Sequence, residues 1–99
     1  MTKFVQTIEF KTTRIDEFTS ALDAWIAETE GSRVPTRGTL TRDRDRADTY
    51  VQIVEFPSYE EAMENSNRPE TSAFAESMAK ICDGPAVFRN LDVVRQEAL

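Results

Sequence analysis

The sequence of 99 residues holds no histidine and one cysteine, Cys82. A Ser-His-Asp or Cys-His nucleophilic site cannot be built within this chain. A zinc, haem or copper site would have to rely on carboxylates and little else. No metal and no cofactor is therefore expected. The remaining chemistry is that of amides, hydroxyls and arginines set among apolar residues. Gln6 and Gln52 stand mid-segment in FVQTIEF (4–10) and YVQIVEF (50–56), two near-copies of one heptapeptide. Burying an amide without partners costs about 1–3 kcal/mol. The two glutamines therefore bond each other or backbone, lie on an exposed patch, or line a cavity and orient a polar group of an aromatic ligand. If their face meets the helices, Trp25, Phe18, Phe74 and Met78 would complete an apolar pocket with few polar anchors, the usual composition of a small-molecule site. The same stripe would also serve as plain core.

A second candidate is ENSNRPE (64–70), which interrupts an otherwise continuous apolar stripe. Asn65, Asn67 and Arg68 are polar where a helix could have continued. The stretch is either a kink with a fresh cap or a pocket mouth where Arg68 meets an anionic or phenolate group. RDRDRAD (42–48) balances three arginines against three aspartates. It reads as a solvated hairpin turn and a poor nucleic-acid patch, because the acids cancel the field and no aromatics interleave. Arg89, Asn90 and Asp92 alternate with apolar residues near the C-terminus, as edge or interface groups, or with Arg89 reaching the pocket. Cys82 has no evident partner base and reads as a buried thiol. The carboxylates fall on predicted helix surfaces, and no pair stands out as an acid/base couple.

These residues need elements to position them. Both heptapeptides are rich in aromatic and β-branched residues and read as strands. Each is followed by a Ser/Thr-x-x-Asp/Glu opening, Thr13 to Asp16 and Ser58 to Glu61, the signature of a capped helix start. The repeated unit is strand, cap, helix. The first helix is expected from about Ile15 to Glu30, with Phe18, Leu22, Trp25, Ile26 and Thr29 on one stripe and Gly31 placed to end it. A strand of about 34–42 and a charged turn lead into the second heptapeptide. A short helical stripe of Tyr59, Ala62, Met63 and Ser66 gives way at Pro69, which disfavours a helical Arg68 and suits the first turn of a new helix. That helix carries Phe74, Met78 and Ile81, and Gly84-Pro85 stops it. A last strand covers about 86–95.

The order βαββαβ is an α+β pattern: a ferredoxin-like arrangement with a four-stranded antiparallel sheet whose first and third strands are central neighbours. One face of those strands carries Phe4, Gln6, Ile8, Phe10, Tyr50, Gln52, Val54 and Phe56. The other carries Val5, Thr7, Val51 and Ile53. Two helices cover one face only, so the second needs another cover, and a second copy of the chain is the simplest one. A homodimer with sheets packed face to face is expected.

Length and composition set the outer bounds. Residues 1–99 are expected to form a single domain. At 39% hydrophobic and 30% charged residues the chain is of globular rather than disordered type. A net charge of −6 argues against nucleic acid or an anionic membrane surface as partner. With no apolar run of membrane-spanning length and no signal-type N-terminus, a cytoplasmic location is expected.

The stretch FPSYEEAMENSNRPETSAFAESMAKICDGPAVFRNLDV (56–93), with its strand, capped helix, Asn/Pro break, second helix and final strand, resembles the dimeric α/β-barrel proteins, in particular the antibiotic biosynthesis monooxygenase-like group. The resemblance covers nearly the whole chain. It implies a dimeric α/β barrel. The group spans quinol oxidation, haem degradation, lactone isomerisation and proteins with no known activity, so it implies fold more than chemistry. Many members carry a histidine near the break in the second helix, where this chain has Asn67 and Arg68, and haem chemistry needs a histidine ligand that is missing. Two functions follow. One is a small dimeric protein with an apolar small-molecule pocket and no catalytic motif. The other is a cofactor-independent monooxygenase acting on a phenolic or quinol-type aromatic, whose anion supplies electrons to dioxygen. In either, Gln6, Trp25, Tyr50, Gln52, Asn67, Arg68 and Phe74 are expected to hold a small aromatic ligand.

Overall fold

The computed structural model describes residues 3–99. Chain order is β1 (Phe4–Lys11), α1 (Ile15–Glu28), β2 (Arg37–Arg42), β3 (Thr49–Phe56), α2 (Tyr59–Ser66), α3 (Pro69–Ile81) and β4 (Val87–Asp92). The four strands form one antiparallel sheet in the order β2-β3-β1-β4. The fold is α+β and ferredoxin-like, with the second helical segment broken into α2 and α3. The two near-identical heptapeptides are the two central strands.

Their register relates them by a local pseudo-two-fold. Gln6 pairs with Val54 and Ile8 with Gln52, so the repeat-equivalent residues exchange places about the Thr7–Ile53 pair. The glutamines therefore sit diagonally, on the face the helices cover. Phe4, Ile8, Phe10, Tyr50 and Phe56 share that face and are buried. Two core clusters result. Ile8, Phe10, Phe18, Tyr50, Met78 and Ile81 form the larger, and Phe4, Phe56 and Ala62 the smaller. Phe10 stacks on Phe18 with centroids 4.7 Å apart and on Tyr50 at 5.7 Å.

The helix starts differ from one another. Ser58 caps α2 as its spacing predicts: its Oγ accepts from the Glu61 N–H at 3.3 Å and donates to Glu61 Oε2 at 3.1 Å. The matching box at Thr13 does not form. Arg14 occupies the N-cap of α1 with no side-chain cap bond. The hydroxyl that serves this turn is that of Thr12, fully buried, which accepts from the Arg14 N–H at 2.9 Å and donates to the Ile81 carbonyl at 2.6 Å. Thr12 thus joins the end of β1 to the end of α3, while Arg14 pairs with Glu17 on the surface.

Boundaries also shift. The first helix ends at Glu28, with Gly31 at φ 83° turning the chain beyond it. The β2 strand begins at Arg37 rather than Val34, because Pro35 has no N–H to give a ladder and the first link to β3 is Thr36 N to Glu55 O at 2.8 Å. Pro69 opens α3 as expected. The 42–48 turn is exposed, its Asp43 carboxylate held by the Asp45 N–H and by Arg46.

The opposite sheet face carries Val5, Thr7, Val51, Ile53, Val87 and Leu91 by strand alternation. Among the described residues no helix lies on it. Val87 and Leu91 are 45% and 44% exposed.

Candidate functional site

Between the two core clusters the helix layer does not close on the sheet. A cavity of about 290 Å³ lies there, with Ile8 of one cluster and Phe56 of the other on its walls. Its floor is β1 and β3, with Gln6, Gln52 and Val54. Gly38 and Leu40 of β2 close one side. Leu22, Trp25 and Ile26 of α1 descend from above, as i, i+3 and i+4 positions must. Thr71 and Phe74 of α3 and Asn65 of α2 complete it, and Arg33, Pro35, Thr36 and Arg37 add to its lining, although the Arg37 guanidinium turns to Glu55 on the opposite sheet face. Small-molecule sites typically measure about 300–1,000 Å³, so this one suits a compact ligand.

Four of the seven expected ligand residues meet here: Gln6, Trp25, Gln52 and Phe74. The other three lie elsewhere. Tyr50 is buried, but in the larger core cluster against Phe10, one strand pleat beyond Gln52. Asn67 is the exposed C-cap of α2. Arg68, half-buried, turns its guanidinium to the Ser32 carbonyl and ties α3 to the loop after α1. The break therefore serves chiefly to re-aim the helix, with Pro69 at its first turn and the Arg68 N–H returned to the Asn65 carbonyl at 3.2 Å. Its cavity-facing member is Asn65, 7% exposed. The helical stripe could have found it, since Asn65 follows Ala62 by three positions.

The polar groups divide by partner. Gln6 donates from Nε2 to Asn90 Oδ1 of β4 at 3.2 Å, so the glutamines do not bond each other. Gln52 Oε1, Trp25 Nε1 and Thr71 Oγ1 are buried and have no hydrogen-bond partner in the protein. All three belong to the cavity wall. They come from a strand and two helices, so no single local accident explains them. Two can donate and two can accept, because a hydroxyl does both. Gly38 adjoins this group: a Cβ there would stand 3.2 Å from Gln52 Nε2. The glycine leaves room for the amide.

Among the lining residues only Arg33 and Arg37 carry charge, and none is His, Cys, Asp, Glu, Lys or Tyr. No acid or base of ordinary pKa faces a ligand. Cys82 is half-buried at the end of α3, and burial, with Asp83 beside it, pushes its thiol up. Among the described residues no three His, Cys, Asp or Glu side chains cluster as metal ligands would, and no helix is long and apolar enough to cross a membrane.

No family model and no curated protein matches the sequence. Solved structures do. The chain has the fold of the antibiotic biosynthesis monooxygenase-like proteins. A Caulobacter crescentus structure bearing that name matches with a TM-score of 0.80 and 16% identity, over 95% of this chain and 92% of its own. SnoaB, a cofactor-independent oxygenase from Streptomyces nogalater, matches with a TM-score of 0.79 and 18% identity, over 98% of this chain and 97% of its own. A Mycobacterium tuberculosis protein matches with a TM-score of 0.76 and 16% identity, over 97% and 99%.

Proposed function

We propose that this protein binds a compact aromatic molecule in the cavity between its two core clusters. The carrying observation is the convergence of Gln52 Oε1, Trp25 Nε1 and Thr71 Oγ1, buried and unpartnered, on one apolar enclosure. Each such group costs stability until something pairs with it. A flat ligand with a hydroxyl and a carbonyl supplies what they need: a donor for Gln52 and an acceptor for Trp25, with rings against Leu22 and Phe74. Trp25 is the only tryptophan, so its fluorescence reports the site directly. Titration with hydroxyanthraquinone- and naphthol-type compounds should quench and shift it saturably. A Trp25 signal indifferent to the whole series would refute the reading.

Turnover is the second reading. The oxygenase name of one fold neighbour favours it, and the positive charge of Arg33, beside Trp25 in the lining, would help an ionisable phenol or quinol to lose its proton. The lining offers no base, so the substrate would have to ionise largely on its own. Oxygen uptake with anthrone and quinol substrates separates the two: binding without uptake supports a binding protein, and uptake that rises with substrate ionisation supports the oxygenase.

The assembly we propose is a homodimer in which the open sheet faces meet as a dimeric α/β barrel. On that face Val5 lies beside Leu91, Val51 and Ile53 lie on β3, and Val87 lies on β4, with Glu9, Glu55 and Arg89 interspersed among them; Glu9 pairs with Arg46 and Arg89, and Glu55 with Lys3 and Arg37. Apolar side chains interspersed with mutually paired charges suit a surface buried between two copies, because the pairs satisfy the charges that burial would otherwise strand. Light scattering at micromolar concentration should give twice the chain mass, and Leu91→Asp should halve it.

A further inference from the structure

Gly38 is the residue of β2 that the strand itself does not explain. A glycine weakens a strand interior and packs nothing against its neighbours. The usual reasons for one are missing here. Gly31 and Gly84 sit at φ 83° and 99°, where a side chain is strained, and Gly38 has no positive φ. The ladder from Arg37–Glu55 to Arg42–Tyr50 runs without an extra residue, so no bulge calls for it. Blunting an edge strand is the plain structural account, but Arg37, with a side chain 74% exposed, already brings a charge to that edge. What remains is the space above the glycine. Gly38 pairs with Val54 and so looks to the helix side, into the cavity wall. Apart from its chain neighbours, a Cβ there would meet one atom within 4 Å, Gln52 Nε2 at 3.2 Å.

That space matters because neither end of the Gln52 amide is spent. Oε1 is buried without a partner. Nε2 donates to no described residue, whereas Gln6 gives its own Nε2 to Asn90. A carboxamide presents its oxygen and one N–H side by side, the edge with which glutamine reads adenine by two bonds. A phenol would serve Oε1 and leave Nε2 idle. A carboxylate would accept from Nε2 and set a second acceptor against Oε1. A cyclic amide serves both, giving its N–H to Oε1 and taking the Nε2 hydrogen at its carbonyl. That carbonyl keeps a second lone pair for Trp25 Nε1 or Thr71 Oγ1, both unpartnered. Gln6, Asn65, Thr71 and Trp25, which share the wall, are uncharged.

We propose that Gly38 leaves the Gln52 amide open as a two-ended reader, and that the ligand is an uncharged fused-ring aromatic with a cyclic amide edge. Gly38 acts through Gln52 and is a positioning residue. This inference rests on the cavity reading and adds the edge by which the ligand is recognised and the residue that keeps its counterpart accessible.

The test uses 2-quinolone, a bicyclic lactam, its 1-methyl derivative, which lacks the N–H, and 2-naphthol, which offers a single hydroxyl. All three absorb where tryptophan emits, so each is titrated by quenching of Trp25. 2-Quinolone should bind about tenfold more tightly than either of the others, the worth of one further hydrogen bond. Gln52→Leu should abolish the discrimination between 2-quinolone and its 1-methyl derivative. Gly38→Ala should shrink it several-fold, because the added methyl pushes the flexible amide aside, while the melting temperature stays level or rises. With Gln52→Leu already in place, Gly38→Ala should change nothing further, as expected of a glycine that acts through the amide. 2-Naphthol binding as tightly as 2-quinolone overturns the two-ended reading and leaves the cavity standing. Discrimination that survives Gln52→Leu reports the bulk of the methyl group and also overturns it. Discrimination untouched by Gly38→Ala overturns the role of the glycine. Binding of none of the three overturns the cavity reading, and this inference with it.

Discussion

Gln52 carries two opposed consequences at the residue scale. Its amide is 7% exposed with an unpartnered oxygen, so Gln52→Leu removes an unsatisfied buried polar group. It should raise the unfolding free energy by about 1 kcal/mol while weakening ligand binding at least tenfold. Urea melts and Trp25 titration read the two effects separately. Loss of stability would mean that the amide is satisfied in solution. Phe18 shows what ordinary core looks like beside it. At 1% exposure and stacked on Phe10, Phe18→Ala should cost about 3–5 kcal/mol. Cys82 should react with aromatic disulfides more slowly than a free thiol at neutral pH, and faster only as pH climbs past the ordinary thiol range, because burial disfavours its thiolate. The sequence exposed Gln6, Gln52, Trp25 and Phe74 as cavity candidates because each broke or dominated a visible period. It hid Arg33, Gly38 and Thr71, which reach the site from loop, edge strand and first turn, where no period reports direction. Asn67 and Arg68 were misread for the opposite reason: a conspicuous break drew attention to its most polar residues, while Asn65 on the continuing stripe faced inward.

Elements were legible where side-chain patterns act alone and illegible where they compete. The βαββαβ order, the central pairing of the two heptapeptides and the new helix at Pro69 all follow from local rules. The two capping boxes look alike in sequence, yet only Ser58 forms one. The difference is tertiary. The buried hydroxyl of Thr12 already serves the N–H at the start of α1 and the last carbonyl of α3, and no spacing of four residues reveals a partner sixty-nine positions away. Thermal melts of three variants test this. Ser58→Ala should cost about 1 kcal/mol. Thr12→Val, which strands a buried carbonyl, should cost about 1–3 kcal/mol. Thr13→Ala should fall within about 0.5 kcal/mol of the parent. The hairpin turn at 43–48 has its own pH signature. The Asp45 N–H first, then Arg46, hold the Asp43 carboxyl below its usual range. That order is complete above the ordinary carboxylate pKa and is lost only as pH falls through the lowered value. The Asp45 amide resonance should stay constant from neutral pH to below pH 4 and shift only in stronger acid.

At the scale of the whole molecule, three helices cover one sheet face, and among the described residues none covers the other. A chain of this length buries a limited core, so the open face bears directly on stability. If two copies meet there, the melting temperature should rise with protein concentration, and high salt should weaken the Glu9 and Glu55 ion pairs more than the apolar contacts. Leu91→Asp should abolish the concentration dependence and leave the far-ultraviolet spectrum of the folded chain intact. A melting temperature independent of concentration over a hundredfold range would remove the dimer from this account. The cavity opens on the helix side, so its occupancy and the pairing of sheets are separable properties, to be measured one at a time.

The pseudo-two-fold between β1 and β3 has a further meaning. Gln6 and Gln52 occupy equivalent positions of two near-identical segments, and the neighbouring β4 gives Gln6 a mate in Asn90, while β2 offers Gln52 a glycine. Symmetry was thus broken by neighbours and not by the pair itself. One glutamine is tied into the sheet and the other is left with an unpartnered oxygen in the cavity wall. By the same logic, Asn90→Ala would leave the Gln6 amide without its partner, as Gln52 Oε1 is now.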